Sequence, residues 1–591
     1  MNKLLEHYQS LYNEEFIDED ESHDTSGTSL LHNYTFKLPL EYHDTHTLDD
    51  TVKSDIEFSN ESNLFNKLLN HRETRDGESL LLTQWSSCYT TNKKFLKDNQ
   101  KLLASYQSKD NKMNHFSKQY VTFKEEQNFL SRYQYVQFRR FFYLNTVVGF
   151  LQILAVYNIC SPILSLMAPL IGLMLPYFIF YFKGIRLSFA EYTKIVKTLI
   201  LNNNIIKNLL NFHKTTIQQK GYALVYLVFY CMGFYNNVLS CIQFYKNTNY
   251  MIELNDSYSR FLDEGNHLIS HIHKKTKSLK QFKEFNNDMM EHQKKIRTMT
   301  FAITSLKNSQ TRLIKCGQIG LLMKSHFDLY YNQDYHNTIM YLIYLDQYHK
   351  DMTSIASHVQ NHTLNPCTFV KRKGNTKMKQ LFYLSHIDET NVKNDVHFNK
   401  NIIITGPNAS GKTTILKSVI LNLFLSQSIG FGCYDSCRIK LYDYFHSYLN
   451  IPDTSNRDSL FQAEARRCKR IYEHVEKHKK ANHLCIFDEI YSGTNPSDAV
   501  LCASVYLQGM NAHKSHMDYI LTTHYLELCS KYKKSKHVKN QQMNVNVQEN
   551  DEIQYTYTLG DGISEVHGGF QILKKMDYPE ELLNKKEQES I

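Results

Sequence analysis

The stretch from Asn401 to Leu425 constrains the fold more than any other part of this chain. Asn401-Ile-Ile-Ile-Thr405 reads as a short buried strand, Gly406-Pro-Asn-Ala-Ser-Gly-Lys-Thr413 follows it directly, and Ile415–Leu425 continues as an apolar helix. This is GxxxxGK[ST] in a strand–loop–helix setting. The glycines let backbone N–H groups wrap a polyphosphate, and the helix N-terminus adds the positive end of its dipole. The nucleotide-cradling candidates are Gly406, Pro407, Asn408, Ala409, Ser410, Gly411, Lys412, Thr413 and Thr414. Lys412 would neutralise the β and γ phosphates and Thr413 would hold a metal, so ATP and Mg²⁺ are the expected ligands.

Further along, His483–Glu489 (HLCIFDE) is an apolar strand that ends in two carboxylates. Asp488 is placed to hold Mg²⁺, and Glu489 is the candidate base that orients or deprotonates an attacking water. Tyr519–Thr523 makes another short strand, ending at His524, which would sense the γ-phosphate. Asp458-Ser-Leu-Phe-Gln-Ala-Glu464 opens a polar helix that runs through Arg466, Arg467 and Arg470. Asp458 or Ser459 suits an N-cap, and because capping and anion binding use the same free N–H groups, contact with nucleotide is a second reading.

Upstream the chain changes character several times. Residues 1–75 are polar and read as weakly ordered, and residues 76–140 show the three- and four-residue apolar spacing of helices. Residues 141–247 form an apolar helical segment, and Phe141–Phe182 contains no charged residue. Cys160–Phe182 alone would reach about 34 Å as a helix, enough to cross a hydrocarbon core. Arg139 and Arg140 flank one end, Lys183 and Arg186 the other. Two structures fit: a membrane hairpin over 141–182, turning near Asn158–Pro162 with both ends on one face, or a helix pair buried inside the protein. Gly221–Tyr245 is also uncharged, but Asn236, Asn237, Gln243 and its tyrosines predict a core helix there. Residues 248–375 read as long, charge-laced helices, with Lys371–Lys379 as a basic loop.

At 591 residues the chain needs two to four domains. A net charge of +9 suits nucleic acid or an anionic membrane surface, and equally a plain soluble enzyme. Twelve cysteines include no CxxC pair, and Cys433 and Cys437 lack zinc-knuckle spacing, which points to free thiols in a reducing compartment. The N-terminal residues hold no apolar signal run, so an intracellular location, cytosolic or nuclear-type, is expected.

In this order and spacing, GPNASGKTT, DSLFQAE, CIFDEIYSGTN and LTTHY resemble the ATPase domain of the MutS mismatch-repair family, over roughly Leu381–Leu583. The closing YTLGDGISEVHGGFQILKKMDYPEELL is similar too. Weaker likeness extends upstream, and the overall layout resembles the short MutS-like proteins of large DNA viruses, which would place it in a virus-infected cell. The resemblance implies an α/β P-loop ATPase domain of the ABC type at 376–591, preceded by a mainly α-helical core and lever region. It also implies a homodimer with composite ATP sites, where Lys412, Thr413, Asp488 and Glu489 of one subunit face Ser459 of the other. Asn408 matches the family's P-loop Asn, Gln427 lies near its Q-loop position, and Asn495 falls in the segment that crosses the interface.

Double-stranded DNA is the implied partner, and mismatch repair or related DNA maintenance the implied task. The family's aromatic–x–Glu wedge is not matched: Phe123-Lys-Glu125 sits in a charged helical context and reads as chance. The adenine-stacking residue does not transfer. Three functions stay open: a DNA-handling ATPase, a membrane-attached ATPase with a non-repair role, and a nucleotide-controlled scaffold with negligible turnover.

Overall fold

The computed structural model describes residues 34–58, 64–69, 80–107, 113–184, 188–202, 216–307, 317–387, 391–449, 459–547, 553–566 and Met576. The chain divides into two compact units. One comprises Met1–Tyr34, Lys112–His267 and His292–Leu342; the other comprises Thr35–Asn111, Leu268–Glu291 and Ile343–Ile591.

The first unit is helical. Its principal helices are α1 (Val148–Phe182), α2 (Phe189–Asn202), α3 (Ile217–Thr276, whose last turns belong to the second unit) and α4 (Ile319–Tyr331). The first turns of α1 are buried at Leu151 and Ala155. There α4 approaches closely because Gly320 has no side chain: a Cβ would lie 2.6 Å from the Val148 carbonyl oxygen. Gly320 N–H donates to Gln152 Oε1 at 2.9 Å. Beyond Ala155, α1 presents apolar side chains to its surroundings. On α3 the Tyr230 hydroxyl donates to the Ser165 carbonyl (3.2 Å) and Cys241 Sγ to the Ile159 carbonyl (3.5 Å). Numbers rise along α3 as they fall along α1, so the two helices run antiparallel. Past Tyr245, α3 becomes buried at Met251, Leu254, Tyr258 and Phe261, the last with its ring 4.7 Å from that of Phe116.

These helices correct two expectations. No hairpin turns at Asn158–Pro162: α1 is one 35-residue helix, and Ser161 Oγ bonds back to the Asn158 carbonyl at 3.1 Å, one helical turn away. A proline removes one donor, and the remaining apolar sequence offers no turn chemistry to exploit the break. Gly221–Tyr245 is not a core helix either, since Tyr222 is 76% and Phe229 69% exposed. The expected long helices of 248–375 are present as Lys283–Lys307, α4 and Gln333–Gln360.

The second unit is built on a six-stranded sheet. Its strands are β1 (Asn401–Thr405), β2 (Tyr444–Tyr448), β3 (His483–Asp488), β4 (Met517–Thr522), β5 (Val538–Val547) and β6 (Ile553–Asp561), in the spatial order β6-β5-β1-β4-β3-β2. All neighbours are parallel except the β5–β6 pair. Ile402, Ile403, Ile404, Leu484, Ile486, Ile520 and Leu521 are fully buried, as expected of strands covered on both faces. Helices α5 (Lys412–Ser428), α6 (Leu460–Lys477) and α7 (Pro496–Asn511) follow β1, β2 and β3. A five-stranded sheet, ordered Asn394–His397, Lys377–Leu381, Ser436–Ile439, Asn365–Phe369, Phe431–Gly432, completes the unit.

Residues 34–69, expected to be weakly ordered, are folded where described, and residues 1–33 lie outside the described set. Thr45–Thr47 pairs antiparallel with Cys88–Thr90, and Phe36, Leu38, Ile56 and Phe65 are buried. The single tryptophan, Trp85, donates from Nε1 to Asp351 Oδ2 (2.9 Å) and stacks between Phe65 and Tyr348, each 6.2 Å away. The polar average of this region conceals apolar residues spaced for short turns, and these dock onto the second unit. That unit accordingly takes in residues 35–111 and begins its C-terminal part at Ile343 rather than 376.

Candidate nucleotide site

Strands β1, β4 and β3 are neighbours, so the segments that leave their C-terminal ends meet. These are the loop Gly406–Gly411 after β1, Asp488 and Glu489 at the end of β3, and His524 after β4. The loop is shaped by two left-handed residues, Ala409 (φ 61°) and Gly411 (φ 91°). At Gly406 there is no room for a side chain: a Cβ would come within 2.9 Å of Met543 and 3.0 Å of Ser410 Oγ. Ser410 Oγ is buried and, among the described residues, has no hydrogen-bond partner. A loop that closes around its own backbone and leaves a hydroxyl unsatisfied fits an anion with many acceptor oxygens.

Lys412, only 6% exposed, is the first residue of α5. Its Nζ donates to the carbonyls of Gly406 (3.0 Å) and Pro407 (3.3 Å), and it lies 2.9 Å from His524 Nε2 and 3.7 Å from Glu489 Oε1. Burial lowers its pKa, and the charges of Glu489 and Asp488 oppose that shift. Thr413 Oγ1 donates to Asp488 Oδ2 at 2.7 Å, while Thr522 Oγ1 bonds the other carboxylate oxygen. A hydroxyl and a carboxylate held face to face in this way are the oxygen donors Mg²⁺ takes beside phosphate.

Glu489 adopts φ 50° and is tied by its N–H to the Thr522 carbonyl at 3.1 Å. Its Oε1 is 2.9 Å from His524 Nε2. The hydrogen bond from His524, with the charge of Lys412 behind it, holds the carboxyl below the usual glutamate range despite partial burial. His524 Nε2 lies 2.9 Å from both Lys412 and Glu489 and has one bonding direction, so its tautomer decides which of them it serves.

The remaining sequence candidates fall elsewhere. Ser459 is the N-cap of α6 in a reciprocal box: its Oγ accepts from Gln462 N–H (3.4 Å), and Gln462 Oε1 accepts from Ser459 N–H (3.2 Å). It does not line the cleft at the P-loop of its own chain. Asp458 lies outside the described residues. Asn495 caps α7, accepting from Asp498 N–H at 2.9 Å. Gln427 is fully buried and clamps Tyr442, accepting from its N–H and donating to its carbonyl, both at 2.8 Å, and it does not line the cleft.

Two groups escaped the reading of the sequence. Buried Glu464 of α6 accepts from Ser492 N–H (3.1 Å), Ser492 Oγ (2.8 Å) and Gly493 N–H (3.1 Å), fastening the segment that follows Glu489. The cleft over the P-loop, about 580 Å³, is walled by Phe382, Tyr383, His386, Val392 and Tyr557. These come from a strand end and from a hairpin more than a hundred residues downstream, and no spacing rule joins them.

At the opposite end of the sheet His446, His474 and His483 bring ring nitrogens within 4.8 Å of one another. The rings of His446 and His483 are nearly coplanar (17°), with centroids 5.4 Å apart and nitrogens 3.1 Å apart. The nitrogens thus meet head to head, the geometry of a direct N–H···N bond rather than of lone pairs converging on an ion. His483 Nε2 donates to the His478 carbonyl at 3.1 Å, which leaves Nδ1 to accept.

Comparison with known proteins agrees with this geometry. Residues 402–590 match the family model of MutS domain V. The chain is 30% identical over 200 residues to the endonuclease MutS2 of Lactococcus lactis subsp. cremoris, covering 33% of this chain and 24% of that protein. It is 28% identical over 198 residues to the DNA mismatch repair protein MutS of Staphylococcus saprophyticus (33% and 22%). To that of Prochlorococcus marinus it is 28% identical over 249 residues (40% and 26%). The chain thus matches about a quarter of the length of these relatives. On this match and the arrangement of its loop, strands and carboxylates, the segment 402–590 belongs to the MutS domain V family.

Proposed function

We propose that this chain is a MutS-type ATPase of the P-loop ABC class that hydrolyses ATP at a dimer interface and uses the nucleotide state to control its hold on double-stranded DNA. The observation that carries it is the convergence of Thr413, Asp488, Glu489 and His524 at the mouth of the P-loop. Backbone N–H groups of 408–413 and Lys412 bind and orient the phosphates, and Ser410 Oγ gains the partner it lacks. Thr413 and Asp488 would hold Mg²⁺, which would neutralise phosphate charge. Glu489 takes the proton of the attacking water as the bond to ADP breaks, and His524 fixes the direction of that carboxylate. The aromatic wall of Tyr383 and Tyr557 offers the base a stacking surface. Ser459 reaches a phosphate only on a second copy. The DNA reading is tested by gel shifts with homoduplex, mismatched and branched DNA. Salt-sensitive binding to at least one is expected, and no binding to any would sink it.

A second reading, a membrane-attached ATPase with a role outside repair, is favoured by the outward-facing apolar side chains of α1 and α3. Two helices of the described set, in the windows Val148–Ala168 and Lys220–Thr276, are long and apolar enough to cross a membrane. Alkaline extraction of cell membranes tests it: retention in the pellet is expected, and complete release excludes integral attachment.

A further inference from the structure

We infer that α1 and the first half of α3 cross a lipid bilayer together as one antiparallel pair, placing α2 on the face opposite the P-loop. This rests on the membrane reading and gives it a topology that differs from the hairpin within 141–182.

The exposure pattern sets the limits of the span. Toward its start, α1 is packed against α4 through Leu151 and Ala155, although Ile153 on its other face is exposed; from Val156 outward its large apolar residues are exposed, including Tyr157, Ile163, Leu166, Leu175 and Phe178. At the far end Tyr177 N–H donates to the Tyr192 hydroxyl at 3.1 Å, and the two rings lie 4.9 Å apart, so α2 folds back against α1 at this level. From Val156 to Tyr177 the helix rises about 33 Å, close to the thickness of a hydrocarbon core of roughly 30 Å. On α3 the uncharged stretch Gly221–Tyr245 rises about 36 Å and is bounded by Lys220 and Lys246. The bonds of Tyr230 to Ser165 and Cys241 to Ile159 put these two stretches side by side.

On α1 the polar side chains are distributed as a bilayer demands, while on α3 Asn236 is exposed within the span and Gln243 near its end. Asn158 and Ser161 are each only 8% exposed, so the polar groups of the α1 span turn inward. Tyrosines stand near both levels, Tyr157 and Tyr245 at one and Tyr177, Tyr181 and Tyr222 at the other, where amphipathic rings suit the headgroup region; Tyr226, Tyr230 and Tyr235 of α3 lie between. Cations follow on each side: Arg139, Arg140 and Lys246 at the near end, Lys183, Lys194, Lys197 and Lys220 at the far end. They complement anionic headgroups on both faces, so the basic residues alone do not orient the pair. The chain does. Among the described residues no later helix is long and apolar enough to cross again, so the described residues from Lys246 onward stay on the side of the P-loop.

The test uses the full chain made in a bacterial host, with Thr198→Cys in α2 or Thr146→Cys before α1, and the parent chain as background for its own cysteines. Intact spheroplasts are treated with a membrane-impermeant maleimide, and their membranes are extracted with alkali. The inference expects retention after extraction, Thr198→Cys labelled above the parent in intact spheroplasts, and Thr146→Cys labelled only after permeabilisation. Release by alkali overturns both this inference and the membrane reading. Retention with both Thr198→Cys and Thr146→Cys labelled only after permeabilisation overturns the crossing and leaves one-sided attachment standing. The reverse labelling pattern overturns the assignment of sides.

Discussion

In the proposed reaction the chemistry turns on Glu489, because the groups it would work beside hold its carboxyl below the usual glutamate range. Replacing it with Gln keeps shape and hydrogen bonding but removes the proton acceptor. Hydrolysis is expected to fall by about 10²–10⁴-fold, with ATP binding retained in a filter or fluorescence titration. Unchanged turnover would move the base elsewhere. The depressed pKa also fixes a sign. Its ion pair contributes in full above the ordinary glutamate value and is lost as pH falls through the lowered one. His524→Ala removes the first cause of the depression, so the acidic limb of the rate profile should move to higher pH; an unmoved limb would detach His524 from Glu489. The convergence of Lys412, Thr413, Asp488, Glu489 and His524 was legible in the sequence, because the first two open an apolar helix and the other three close or follow apolar strands. Glu464 was not, since a buried carboxylate that bonds backbone N–H groups leaves no periodic trace in a helix that otherwise looks polar.

Among elements, β1, β3 and β4 of the main sheet were legible because burial on both faces makes them short apolar runs. The edge of the site was not: Tyr557 reaches the cleft through an antiparallel hairpin, and Phe382 and Tyr383 through the segment that leaves strand Lys377–Leu381 of a different sheet. The segment after β3 depends on α6 through Glu464. Glu464→Gln exchanges one acceptor for a donor that faces N–H groups, so kcat should fall while the KM for ATP stays within about threefold. A raised KM with kcat unchanged would argue against a role in placing Glu489. At the start of β4, Asp518 accepts from Lys440 and Lys514, both at 2.7 Å, and from the Tyr442 hydroxyl at 2.9 Å, with the Lys440 and Asp518 side chains 4% and 3% exposed. Asp518→Asn strands buried cations and should cost about 3–5 kcal/mol, seen as a lower urea midpoint. A midpoint shift below about 1 kcal/mol would mean that water reaches the pair. The long apolar helices were legible as apolar but not as an antiparallel pair, because composition does not say which uncharged run meets which.

At the scale of the whole molecule, the proposed composite site calls for a second copy, because Ser459 does not line the cleft of its own P-loop. The Glu489→Gln chain in detergent should double its mass in sedimentation when ATP and Mg²⁺ are added, and Ser459→Arg should prevent the doubling. Persistence of a single-chain mass under saturating ATP would remove the composite site. The hydroxyl of Ser459 loses nothing by that contact: it accepts from Gln462 and keeps its own proton to donate.

The lone tryptophan has an optical consequence. Trp85 is 3% exposed, bonded to a carboxylate and stacked between two aromatic rings, all within the second unit. Intrinsic emission excited at the indole edge therefore reports on that unit alone, whatever lipid or detergent surrounds the apolar helices. A red shift would signal that residues 35–111 have lifted from helix Gln333–Gln360, with no label attached.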